Sequence, residues 1–130
     1  MLTPGIYGLS NHLLDTPWPK VVRGKKALER LLSETHARPA TFFEVLSDRE
    51  IPDENQLPDT GVGIQWERML SPLFILSPNY GTRASTLLLI DRQDRVLFME
   101  KNFGPGARQL SQSKKEFSIT PGSTRPLSSP

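Results

Sequence analysis

An unbroken apolar run at residues 87–90 directly follows a polar turn at residues 77–86. The turn contains Asn79 and Gly81, which are residue types that favour a reversal of the chain. A short apolar run bounded by turn residues is typical of a β-strand that is buried on both faces. The pattern therefore places Arg83 at the entrance of a predicted buried strand.

Further strands are predicted on either side of this run. Residues 73–76 are apolar and precede the turn, and residues 95–103 follow a second turn at residues 91–94. Because short turns join the three segments, they predict an antiparallel meander. Residues 114–119 are predicted to return as an edge strand, since their lysines discourage association between sheet edges.

The first half of the chain is predicted to be mainly helical after a short strand at residues 6–10. Apolar residues then recur at helical spacing from Trp18, which predicts a helix to about Ser33 with Asp15 or Thr16 as its cap. A second, short helix is predicted at the capping-box sequence of residues 41–44. Residues 47–63 are acidic and aperiodic, which predicts a long loop.

Composition limits this α+β chain to one domain of 130 residues. The net charge is only +2 and the basic residues are scattered, so a nucleic-acid partner is not expected. The chain has no cysteine, which excludes disulfides and thiolate chemistry and fits a reducing compartment. No apolar run predicts a membrane span or a signal peptide, and we expect a cytoplasmic location.

Several residues that could bind a metal or haem are better explained by structure. The histidines, His12 and His36, are too few for a zinc site in a chain without cysteine. Met69 and Met99 could ligate haem iron, but methionine on an apolar face is typical of a core. The acidic segment at residues 53–59 lacks EF-hand spacing, which favours a solvated loop. The sequence identifies no cofactor.

Two polar residues have both a structural and a functional interpretation. Asn11 could donate a hydrogen bond to an oxyanion, or it could bond its own backbone in a turn. Arg83 could bind an anion, or it could be a surface charge. The residues alone leave both pairs of alternatives open. No histidine–carboxylate pattern accompanies a serine, which excludes a serine-hydrolase triad.

Two strings of sequence resemble a known family. Residues 8–21 read Gly-Leu-Ser-Asn-His-Leu-Leu-Asp-Thr-Pro-Trp-Pro-Lys-Val, and residues 80–86 read Tyr-Gly-Thr-Arg-Ala-Ser-Thr. Both strings are similar to the NRDE family, also called the transport and Golgi organization protein 2 family. The resemblance implies that residues 1–119 form the C-terminal half of a family domain, and residues 120–130 are predicted to be a disordered tail.

The resemblance also implies a fold and a function. Family members are similar to N-terminal-nucleophile hydrolases, so the sheet and flanking helices would be part of an αββα sandwich. By analogy, Asn11, Tyr80, Thr82 and Arg83 would face a ligand site. The expected ligand is an anionic, hydrophobic molecule such as haem or acyl-CoA, with a role in Golgi organisation and secretion in eukaryotic relatives.

The family's second-position cysteine has no counterpart here, because Leu2 follows Met1. This chain is therefore expected to be non-catalytic alone and to need the family's N-terminal half as a partner. The alternative hypothesis is that it forms the substrate-binding half of an amide hydrolase.

Overall fold

The computed structural model describes residues 1–35 and 37–119, so His36 and the predicted tail at residues 120–130 lie outside the description. The described chain forms an α+β fold with an open antiparallel sheet and flanking helices, which confirms the predicted fold class. The elements in chain order are α1 (Pro19–Ser33), α2 (Pro39–Leu46), a 3₁₀ turn (Glu54–Gln56), α3 (Ile64–Leu70), β1 (Ala84–Ile90), β2 (Arg95–Phe103), a second 3₁₀ turn (Pro105–Ala107) and β3 (Gln109–Ser118). The likeness to N-terminal-nucleophile hydrolases stays a prediction.

The sheet is a meander in which β2 pairs with both β1 and β3. The prediction of β2 at Arg95–Phe103 is confirmed, and the predicted edge strand is present as the longer β3. The strand predicted at residues 73–76 is wrong, because only an isolated bridge joins Leu76 to Gly81. Its backbone groups bond elsewhere: the Phe74 N–H donates to the Asp48 carbonyl oxygen at 2.8 Å.

Helix α1 ends at Ser33 as predicted, but neither predicted residue caps it. The N-cap residue is Trp18, and proline in the first turn fixes a backbone angle suited to a helix start. Asp15 instead accepts hydrogen bonds from the Gly8 N–H at 2.7 Å and from the Lys25 ammonium at 2.8 Å. The carboxylate therefore fastens the N-terminal segment to α1.

The main core lies between α2 and one face of the sheet. Phe43 of α2 packs with Leu87 of β1 and Met99 of β2, and partly buried hydrophobic residues surround them. Burying a side chain such as Phe43 contributes about 1.5–3 kcal/mol. The prediction that β1 is buried on both faces is wrong: its burial alternates, and Leu88 and Ile90 are each 55% exposed.

The strand predicted at residues 6–10 is also wrong, since this segment has no regular secondary structure. The N–H and the carbonyl of Gly8 both bond to Asp15, and no strand pairs with the segment among the described residues. Extended segments are stabilised by a neighbouring strand, which residues 6–10 lack here. In residues 1–35 and 37–119, no helix combines the length and apolarity needed to cross a bilayer.

Candidate functional site

A tight hairpin at residues 75–83 leads into β1 and carries three of the four predicted site residues. The Thr82 N–H donates to the Ile75 carbonyl at 2.9 Å, and the Thr82 hydroxyl accepts from the Ile75 N–H at 2.9 Å. At the tip, the Ser77 hydroxyl donates to the Tyr80 carbonyl at 2.7 Å. A Cβ at Gly81 would lie 3.1 Å from the Ile75 carbonyl oxygen, so this close approach favours glycine. The hairpin is therefore a braced support rather than a free loop.

We call the space beside this support the hairpin cavity. It has a volume of about 320 Å³ and lies between residues 75–83 and the turn at residues 104–107 that follows β2. Apolar and backbone groups form most of its wall, including those of Leu76, Pro78 and Pro105. The cavity has the size of a small-molecule subsite, and its lining favours a partly apolar ligand.

Arg83 is exposed and is the one cationic side chain among the residues that line the hairpin cavity. Its backbone is fixed, because the Arg83 carbonyl accepts a hydrogen bond from the Phe103 N–H at 2.8 Å. In the described part of the chain, no hydrogen bond or ion pair engages its guanidinium group. A guanidinium that has no internal partner can bind a carboxylate or phosphate through two parallel hydrogen bonds.

An aromatic pair lies beside the same cavity. The rings of Tyr80 and Trp66 meet edge to face, with 6.4 Å between their centroids, and each residue is 52% exposed. Exposed aromatic residues can pack against a flat or apolar ligand while the Tyr80 hydroxyl remains in water. The sequence around Trp66 gives no sign of this role, because α3 brings Trp66 to the hairpin only in the folded chain.

Asn11, the fourth predicted site residue, lines a separate cavity of about 120 Å³. The structure therefore brings Tyr80, Thr82 and Arg83 together, whereas Asn11 lies beside Lys20 and Glu67. Asn11 itself is exposed, and no hydrogen bond within the described residues holds its side-chain amide.

The Asn11 cavity contains a buried acid that the sequence did not reveal. Glu67 is 6% exposed, and its Oε1 accepts hydrogen bonds from the Thr60 N–H at 2.6 Å and the Thr60 hydroxyl at 2.5 Å. The Lys20 ammonium donates to the Leu70 carbonyl at 2.9 Å. Burial lowers the pKa of Lys20, and the nearby charge of Glu67 opposes this change. These contacts join the loop before α3 to α3, and they join α3 to α1.

The other candidates have structural surroundings. Met99 belongs to the core between α2 and the sheet. The Nδ1 atom of His12 lies 2.9 Å from the Thr16 hydroxyl, and its ring is 5.7 Å from that of Trp18. Among residues 1–35 and 37–119, no group of three or more histidine, cysteine or acidic side chains is placed to hold a metal ion.

Comparisons with known proteins show what the chain is similar to. The sequence profile of a family described as Transport and Golgi organisation 2 matches residues 1–105. A human protein named Transport and Golgi organization protein 2 homolog is 35% identical, over 78% of this chain and 40% of the human protein. The bovine protein of that name and the mouse Transport and Golgi organization 2 homolog are 36% and 33% identical, with the same coverage. The chain thus spans about 40% of the length of these relatives.

Proposed function

Because the chain belongs to the Transport and Golgi organisation 2 family, we propose that it takes part in transport and Golgi organisation by binding an anionic, partly apolar ligand. The proposed ligand site is the hairpin cavity, with Arg83 as the anion-binding residue. The ligand class is that of haem, which carries carboxylates on a flat apolar ring, or of acyl-CoA, which carries phosphates and an apolar chain. We place this binding in the cytoplasm, as the cysteine-free composition favours.

One observation supports this assignment above the others: the guanidinium of Arg83 has no internal partner in the described chain and adjoins a mainly apolar cavity. A ligand of the proposed class would present its anionic group to Arg83 and its apolar part to the cavity wall and to Tyr80. Thr82 has a supporting role in this arrangement, because its hydroxyl already accepts the Ile75 N–H.

Titration of the 130-residue chain with haemin and with oleoyl-CoA tests the proposal. We expect Arg83→Ala to weaken binding of at least one of them by more than about tenfold, because hydrogen bonds to charged groups contribute about 1.5–3 kcal/mol. Arg83→Lys keeps the charge but loses the two-pronged geometry, so an intermediate affinity is expected. Tryptophan fluorescence follows binding, since Trp66 lies beside the cavity.

Arg92→Ala is the matched control. Arg92 is an exposed arginine in the turn between β1 and β2, at the opposite end of β1 from Arg83. Its loss should leave both affinities unchanged. Unchanged affinity of Arg83→Ala for both ligands, or an equal loss in Arg92→Ala, would contradict the proposal.

A second control shows which tryptophan produces the fluorescence change. The chain has 2 tryptophans, and Trp18 lines the Asn11 cavity instead of the hairpin cavity. Trp66→Phe should therefore remove most of the fluorescence change that oleoyl-CoA causes, while an absorbance titration with haemin still reports haemin binding. A fluorescence change with oleoyl-CoA that persists in Trp66→Phe would place that ligand elsewhere.

A further inference from the structure

An apolar groove runs beside the outer edge of the sheet. This edge groove has a volume of about 390 Å³ and lies between residues 86–89 of β1 and residues 6–9 of the N-terminal segment. Side chains from α1 and α2, including Val21, Leu28, Phe42 and Leu46, line it as well. The groove does not include the residues of the hairpin cavity, so an inference about it does not depend on the proposed ligand.

The backbone of β1 presents unpaired groups to this side. The Phe103 N–H donates to the Arg83 carbonyl and the Asp91 N–H donates to the Arg95 carbonyl, so the odd-numbered residues of β1 bond to β2. In an antiparallel pair, the alternate residues direct their N–H and carbonyl groups away from the partner strand. The N–H and carbonyl groups of Thr86 and Leu88 therefore point outward, and no partner for them occurs in the described residues.

The opposite wall of the groove also lacks a strand that pairs with it. Residues 6–10 have a strand-like sequence but form no strand, and the Gly8 backbone bonds only to Asp15. One additional strand between residues 6–9 and β1 would give both segments a neighbour. Four residues of β1 line the groove, which corresponds to a strand segment about 13 Å long.

We propose that the edge groove receives an extended segment of the polypeptide that the longer relatives carry outside the matched region. All walls of the groove lie within the residues 1–105 that the family profile matches, and the matched part accounts for 40% of the human relative. The segment bonds to the outward backbone groups of β1, and its alternate side chains, which face the helices, are apolar. A second copy is a poorer occupant, because residues 6–9 stand where its sheet would continue.

Hydrogen exchange on the 130-residue chain tests this inference. Overlapping short peptides that cover the unmatched part of the human relative are added one at a time. We expect at least one peptide to bind and to slow exchange of the Thr86 and Leu88 amides by about tenfold or more, since a new ladder hydrogen bond protects an amide. Amides on the outer edge of β3 should be unaffected.

Leu88→Pro should abolish this binding. The Leu88 N–H points away from β2, so proline there removes a bond to the incoming segment but none to β2. Lys114→Pro is the matched control: Lys114 pairs with Met99, whose bonds go to β1, so the Lys114 N–H lies on the free outer edge of β3. Lys114→Pro should therefore leave peptide binding intact.

Three results would overturn the inference. One is that no peptide binds, and another is that Leu88→Pro and Lys114→Pro affect binding equally. The third is a dimer of the chain alone in which the Thr86 and Leu88 amides are already protected, because this would make a second copy the occupant. If Leu88→Pro does not fold, exchange on the unmodified chain with and without peptide still decides between these results.

Discussion

The two faces of the sheet differ in how far their apolar side chains are exposed, although adjacent residues of β1 are equally apolar. On one face, Leu87 and Met99 pack under Phe43 of α2. On the other face, Leu88, Ile90 and Phe117 are each more than half exposed. Leu87 and Leu88 are adjacent and chemically identical, so the difference between them arises from what covers the strand. Along β1, burial is decided by the helix layer and not by the apolar run itself; on β2, Val96 is buried although it pairs with the exposed Ile90.

The sharpest test of this comparison is to make the same change on each face. Leu87→Ala should lower the free energy of unfolding by about 2–5 kcal/mol, because it leaves a cavity under α2. Leu88→Ala should change it by no more than about 0.5 kcal/mol, because that side chain is 55% exposed. Urea unfolding of the two variants measures both values. Equal losses would mean that the second face is covered in solution.

The exposed face should also control self-association. Exposed apolar rows on a sheet with free edges favour contacts between copies. Ile90→Lys is expected to reduce concentration-dependent association in sedimentation experiments while changing the free energy of unfolding by no more than about 0.5 kcal/mol.

Ser113→Lys is the control for this change. Ser113 pairs with Glu100 on the same face as Ile90. Ser113→Lys therefore adds the same charge to this face without removing an apolar side chain. If Ser113→Lys suppresses association as strongly as Ile90→Lys, net charge and not the apolar row is responsible.

The same contrast explains which elements the sequence predicts correctly. Helix α1 and β2 are predictable, because the apolar spacing of α1 and the nearby strand partners of β2 are local features. Residues 6–10 and 73–76 have equally strand-like compositions, but neither has a strand beside it in the described chain. A local pattern reports that a segment could pair; it does not report whether a partner is present.

The residues of the candidate site likewise fall into those that the local sequence predicts and those that it does not. Tyr80, Thr82 and Arg83 come together because they are neighbours in one hairpin, and the sequence motif includes all three. Trp66 and Glu67 escaped prediction, because their surroundings are created by the packing of α3 against distant segments. Asn11 lies on the N-terminal segment, and its distance from the hairpin depends on tertiary structure that no local pattern contains.

The smallest expected effect is on the pH dependence of stability, and it comes from Asp15, whose carboxylate bonds to the N-terminal wall of the edge groove. The Lys25 ammonium and the Gly8 N–H lower the pKa of Asp15 from its ordinary value of 3.8. The stability that this carboxylate contributes is therefore present above that value, and it is lost as the pH falls through the lower pKa of the folded state. Asp15→Asn should remove this component of the loss in melting temperature between about pH 7 and about pH 3.

Asp91 provides the comparison for this pH effect, because its pKa is lowered mainly by the Arg95 backbone N–H in the turn between β1 and β2. Asp91→Asn should change the pH dependence of the β1–β2 hairpin, whereas Asp15→Asn should change that of residues 6–9. Exchange of the Gly8 amide, which donates to Asp15 at 2.7 Å, separates the two. The protection of this amide, measured relative to its intrinsic exchange rate at each pH, should fall on acidification in the unmodified chain and in Asp91→Asn, but it should be low at every pH in Asp15→Asn. If Asp15→Asn leaves exchange of the Gly8 amide unchanged, the wall of the edge groove is held by packing alone.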